Sequence, residues 1–232
     1  MEIENAQIQR RRILLQGVIQ GVGLRPFVYR EAKQNGLSGL VLNNSTGVKI
    51  EVEGIPQKID DFIRSLQDSP PVLARIDEIV IEPIPPQGGK EFIIETSQQG
   101  EEQQVMISPD TATCSECLQE LFDPNDRRYH YPFINCTNCG PRFSIVQDAP
   151  YDRSKTTMAS FIMCSACAAE YSNPLDRRFH AQPIACLRCG PDIYLLNRKG
   201  EKSKKTNFDA IITAAQKLAK GEILAIKGLG GY

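Results

Sequence analysis

Eight cysteines carry the densest chemistry in this chain of 232 residues. They fall in four Cys-x-x-Cys pairs: Cys114/Cys117, Cys136/Cys139, Cys164/Cys167 and Cys186/Cys189. Eighteen residues separate the pairs within each half, and twenty-four separate the halves. A Cys-x-x-Cys turn sets two thiolates on one side of a tight loop. Two such turns meeting place four sulfurs around a Zn²⁺ at ~2.3 Å each. Two structural zinc ions are therefore expected, supplying folding free energy to segments with few core residues of their own. A closed four-sulfur shell leaves no position for a reactant. Disulfides or an iron–sulfur cluster are the competing uses of such pairs, and the spacing favours zinc. The repeat favours Cys114, Cys117, Cys136 and Cys139 on one ion and Cys164, Cys167, Cys186 and Cys189 on the other. Interleaved pairing stays open. His130 and His180 are alternative ligands, but eight thiolates already complete two sites.

The surroundings repeat as well, with a shift of fifty: Pro124, Asp126, Arg127, Arg128 and His130 recur as Pro174, Asp176, Arg177, Arg178 and His180. Self-similarity of this kind means one structural unit used twice. The Asp-Arg-Arg residues would fix the loops between knuckles through ion pairs or offer a basic surface to a partner. The first use is favoured.

A second constellation is QGVGLR, residues 20–25. Two glycines between a strand and a helix let successive backbone N–H groups turn toward an anion at the helix N-terminus. Gln20, Gly21, Val22, Gly23, Leu24 and Arg25 would form such a cradle, with the Arg25 guanidinium gripping two oxygens. A plain strand–helix turn would use the same glycines. Asn43 also has an ordinary use, as the first residue of a hairpin turn. A third stretch, LAIKGLGGY, ends the sequence, and its ordinary reading is a strand-to-loop turn.

The elements that must position these groups follow from periodicity. RRILLQGVIQ reads as a strand, and Leu24 to about Asn35 as a helix ended by Gly36. LSGLVLN and VKIEVEG read as a hairpin around NSTG. Pro56 to about Gln67 reads as a second helix, with Ile59, Phe62, Ile63 and Leu66 on one face. RIDEIVIEPI and KEFIIET add two strands. The order β-α-β-β-α-β is the ferredoxin-like arrangement of an α+β domain, over residues 10–97. Residues 1–9 read as a disordered start and 98–108 as a linker. The cysteine units fill 109–192. Residues 193–232 hold a strand (IYLLN), a charged loop, a helix over 208–220 and a strand EILAIK. That set cannot bury a core alone, so it is expected to be part of a longer protein or to pack on what precedes it.

Lys and Arg total 27 against 28 Asp and Glu, a net charge of −1. That balance gives no electrostatic case for nucleic acid or an anionic membrane. No apolar run approaches the ~20 residues of a membrane span, and the start of the sequence lacks an apolar signal core. The cytoplasm is the expected compartment, where paired cysteines hold metal.

VIQGVGLR followed by GLSGLVLNNSTGVKIEVEG resembles the acylphosphatase signature, with Ile19 in place of a valine. The resemblance implies that the loop amides and Arg25 bind phosphate and that Asn43 orients the attacking water, with Asn44 the alternative if the register slips by one. LAIKGLGGY resembles the start of YrdC-like domains, which bind ATP with Mg²⁺ and make acyl-adenylates; Lys227 would begin that nucleotide site. Together with DRRYHYPFINCTNCGPRFSI and DRRFHAQPIACLRCGP, the order of parts resembles HypF-type carbamoyltransferases, which mature nickel–iron hydrogenases. That resemblance implies an acylphosphatase domain acting on carbamoyl phosphate, a duplicated zinc-finger domain and a truncated YrdC-like domain. It also implies adenylation of the carbamoyl group and its transfer to HypE for cyanide ligand synthesis. The alternative is a zinc-knuckle binding module for RNA or unfolded protein fused to an acylphosphatase.

Overall fold

The computed structural model describes residues 8–98 and 106–231. The first seven residues, most of the expected loose start, lie outside the described residues, as do 99–105 of the expected linker.

The first unit runs β1 (Gln9–Val18), α1 (Leu24–Gln34), β2 (Ser38–Asn43), β3 (Val48–Gly54), α2 (Pro56–Asp68), β4 (Arg75–Ile84) and β5 (Phe92–Ile94). The strands form one sheet in the order β4-β1-β3-β2-β5. All neighbours are antiparallel except β2 and β5, which are parallel. This is the expected ferredoxin-like α+β fold with an added edge strand. Period-two alternation explains its two faces. Ile13, Leu15, Val48, Ile50 and Val52 pack with Val28, Ala32, Ile59, Phe62 and Leu66 of the helices in one buried cluster. On the other face, Arg10 and Arg12 of β1 and Lys49, Glu51 and Glu53 of β3 carry charge. Arg10 pairs with Glu51 at 2.7 Å and Glu53 at 3.2 Å, and the backbone N–H groups of Gln87 and Gly88 donate to Glu53.

The finger module has little apolar core beyond its cysteines and a few neighbours such as Tyr131, Ile134, Ile145 and Ile184. Each half opens with a short helix, α3 (Ser115–Phe122) and α4 (Ser165–Ser172). Cys114 and Cys164 precede these helices at the N-cap, and Cys117 and Cys167 sit in their first turns, buried. The second pair of each half lies in a turn.

After the module, β6 (Tyr194–Leu196) pairs antiparallel with β7 (Lys202–Thr206), and α5 (Asn207–Ala219) follows. β7 lies where the sequence predicts a charged loop. Its lysines gave no alternation, yet a hairpin needs no buried face to form its backbone ladder. The expected strand EILAIK is absent: residues 222–227 make no ladder, and Ile223 is 98% exposed. No helix among the described residues is long and apolar enough to cross a membrane.

Candidate functional site

The loop between β1 and α1 has the backbone of an anion cradle. Gly21 and Gly23 both take left-handed conformations, with φ of 77° and 79°, which glycine adopts without steric cost. Gly23 is the N-cap of α1, and no side chain caps that end. The first N–H groups of a helix have no intrahelical acceptor, so these are available to an anion. Val22 and Leu24 point their side chains into the core, leaving only their backbone to the cradle. The Gln20 side chain is engaged elsewhere. Its Nε2 donates to the carbonyls of Asn44 and Gly47, and its Oε1 accepts from the Tyr151 N–H.

Arg25 is buried at the mouth of this loop. Its Nη2 donates to Asp152 Oδ1 at 2.9 Å and to the Tyr151 carbonyl at 3.3 Å, and its Nη1 donates to Ser97 Oγ at 3.4 Å. Asn43, the last residue of β2, faces the same guanidinium. With its amide oxygen turned inward, Asn43 accepts from Arg25 Nη2 at 3.1 Å and Nε at 3.2 Å. Asn44 turns the other way. Its Oδ1 accepts from the N–H groups of Thr46 and Gly47 and so holds the hairpin turn. The structure thus brings Arg25 and Asn43 together, and Asn44 serves the turn.

The cradle does not open to solvent as a lone domain would leave it. One cavity is lined by Gln20, Gly21, Gly23, Arg25 and Asn43 on one side and by residues of the finger module on the other. The second group includes Thr137, Arg142, Tyr151, His180 and Gln182. Sequence reasoning named none of these for the site. Arg142 is fully buried and donates to five carbonyl oxygens, including Gly21 at 2.5 Å and Thr137 at 2.7 Å. A methyl group on Gly23 would stand 3.1 Å from Thr137 Cγ2, so the loop and the first knuckle touch. Tyr29 of α1 also packs edge-on against Phe179 at 5.4 Å between centroids. His180 stands at the cavity edge. Burial, then the positive charge of Arg25, push its pKa down to about 4 against the opposing pull of Asp152. It is neutral at pH 7. Lys227 is not among the cavity residues and lies in the exposed segment after α5.

The cysteines form two clusters in sequential pairing: Cys114, Cys117, Cys136 and Cys139, then Cys164, Cys167, Cys186 and Cys189. All eight thiols are unbridged. Neighbouring sulfurs lie 3.5–3.8 Å apart in both sets. A tetrahedron with ~2.3 Å arms has edges of about 3.8 Å, so the donor set fits one Zn²⁺ per cluster. The same distances are far beyond the ~2.05 Å of a disulfide.

The repeated arginines cross between the halves. Arg127 and Arg128 of the first half both pair with Glu170 of the second, and Arg127 donates to Cys167 Sγ at 3.0 Å. Arg177 and Arg178 of the second half pair with Glu120 of the first, and Arg177 donates to Cys117 Sγ at 3.1 Å. Asp126 and Asp176 accept from the N–H groups of Arg128 and Arg178. Each thiolate cluster, doubly negative when it holds Zn²⁺, therefore meets a cation from the opposite repeat. Spent in this way, these arginines make a joint between the halves, the ion-pairing use that the sequence favours over a basic surface for a partner.

Comparison with known proteins agrees with this division. The Acylphosphatase family model matches residues 11–94, and the HypF finger model matches residues 113–146 and 163–196. Carbamoyltransferase HypF of Synechocystis sp. is 51% identical over 220 residues, covering 95% of this chain and 28% of the relative. A probable carbamoyltransferase HypF of Methanocaldococcus jannaschii is 52% identical over 95% of this chain and 29% of its own length. The solved structure of full-length HypF in a phosphate- and nucleotide-bound form superimposes with a TM-score of 0.91 at 48% identity, covering 99% of this chain and 30% of that one. The chain thus spans under a third of the length of these relatives. An anion cradle on an acylphosphatase fold, joined to two four-cysteine fingers of the HypF type, places the chain in the HypF carbamoyltransferase family.

Proposed function

We propose that this chain is the first portion of a hydrogenase-maturation carbamoyltransferase and that its cradle hydrolyses carbamoyl phosphate. The observation that carries the reading is the Arg25–Asn43 pair set at the unclaimed N-terminus of α1. In this reading the phosphoryl oxygens lie on the backbone N–H groups of residues 21–25 and on Arg25, where charge develops as the bond breaks. Asn43 orients a water molecule for attack. The water oxygen bonds to phosphorus while the bond from phosphorus to the carbamoyl oxygen breaks. Carbamate leaves with the electron pair, and the water proton passes to a phosphate oxygen. Two structural Zn²⁺ ions hold the fingers and take no part in the step.

The later steps belong to the whole protein. There, ATP with Mg²⁺ would adenylate the carbamoyl group in a YrdC-like domain whose start is residues 193–232 and whose nucleotide site would begin at Lys227, and HypE would receive it on the way to cyanide ligands. The unbridged thiols suit the cytoplasm. The test is phosphate release from carbamoyl phosphate. The parent chain should release phosphate, and Arg25→Ala should lower kcat/KM at least about a hundredfold while keeping the fold. Equal cleavage by the variant would refute the assignment of this loop.

A further inference from the structure

His130 and His180 hold equivalent places in the duplicated unit. Both take left-handed conformations, with φ of 56° and 55°. Both donate their backbone N–H to a carbonyl near the end of the preceding helix, Leu121 at 2.8 Å and Tyr171 at 2.9 Å. Their rings have parted. His130 is stacked between Tyr129 at 3.6 Å and Phe208 of α5 at 3.5 Å. The His180 ring packs against Tyr171 at 4.9 Å and Phe179 at 4.6 Å between centroids, and it also lines the cradle cavity beside Ala181 and Gln182. One histidine of the repeat thus anchors the C-terminal helix, and its twin stands over the cradle.

An acyl phosphate bound by the loop and Arg25 must project its acyl group away from the loop, toward the finger module. Most of that wall is fixed. Tyr151 is 1% exposed and Arg142 is tied to five carbonyls. The Gln182 side chain is tied to Arg153 N–H, Tyr171 Oη and the His180 carbonyl. Thr137 and His180 are the half-buried members of the wall. The Thr137 hydroxyl is tied to the Arg177 carbonyl, which leaves the His180 ring as the bulkier half-buried side chain facing the cavity. We propose that the finger module is the acyl-group filter of the cradle, with His180 the specificity-determining side chain that admits a small acyl group and rejects a bulky one. The proposal rests on the acyl-phosphate reading above.

The test uses the full chain, with acetyl phosphate and benzoyl phosphate as probes. His180→Gly removes the ring and keeps the left-handed backbone at no steric cost. It should raise the benzoyl-to-acetyl ratio of kcat/KM roughly tenfold or more, with zinc content unchanged. His130→Gly makes the same backbone change in the other repeat and should leave the ratio where it was. An unchanged ratio in His180→Gly, or equal shifts in both variants, overturns the filter and leaves the acyl-phosphate reading standing. Cleavage of neither probe nor of carbamoyl phosphate by the parent chain overturns both.

Discussion

Asn43 and Asn44 are neighbours in sequence with opposite work. The alternation of β2 turns Asn43 to the helix-bearing face, where it meets Arg25, and leaves Asn44 to bond the hairpin turn. The motif alone allowed either residue; strand register decides between them. Replacing Asn43 with Ala should lower kcat for carbamoyl phosphate about a hundredfold and change KM much less, because the anion's grip on Arg25 survives. A drop in KM-limited binding with kcat intact would point to a phosphate-holding role instead. The finger-module residues that line the cavity were not legible in this way. Arg25 and Asp152 are 127 residues apart in the chain, and nothing in local periodicity joins them. The repeat marked His180 as half of a pair, but its contact with the cradle depends on how the module docks.

At the scale of elements, the strong signals were those with a buried face. α1, α2 and β1 to β3 follow their apolar periods and form the core together with Phe92 of β5, while β4 packs only the half-buried Ile76 and Ile79 against it. β7 and the segment after α5 had no such face and were misread in opposite directions. The charged face of the first sheet carries its own prediction. Burial alone would raise the Glu51 pKa, but hydrogen bonds from Arg10, Lys49 and Arg12 outweigh it and bring it from 4.5 to about 2. A carboxylate lowered in the folded state stabilises fully above its ordinary pKa, and that stabilisation is lost as pH falls from about 4.5 toward 2. The amount is on the order of 3 kcal/mol. Thermal unfolding of the first unit between pH 6 and pH 3 should fall less steeply in Glu51→Gln than in the parent. Identical slopes would show that Glu51 is not a source of the acid sensitivity.

Over the whole molecule, the fingers act as more than a spacer. Their reciprocal Arg–Glu pairs lock the halves together, and Arg142 and Tyr151 lock the first half to the cradle loop. Metal, module and cradle are therefore coupled. Elemental analysis should give two zinc ions per chain. A strong chelator should unfold residues 109–192 while the first sheet keeps its circular dichroism, and it should relax the preference for small acyl groups. Loss of zinc without loss of module structure would break the link between metal and fold.

The whole proposal stands on the loop at residues 20–25 being the anion site. Titrating the full, zinc-loaded chain with inorganic phosphate and following backbone amide resonances by NMR tests it most directly. Saturable shifts centred on Gly21, Val22, Gly23, Leu24 and Arg25 are expected at one phosphate per chain, and they should disappear in Arg25→Ala. Shifts centred elsewhere, or equal phosphate affinity in Arg25→Ala, would contradict it.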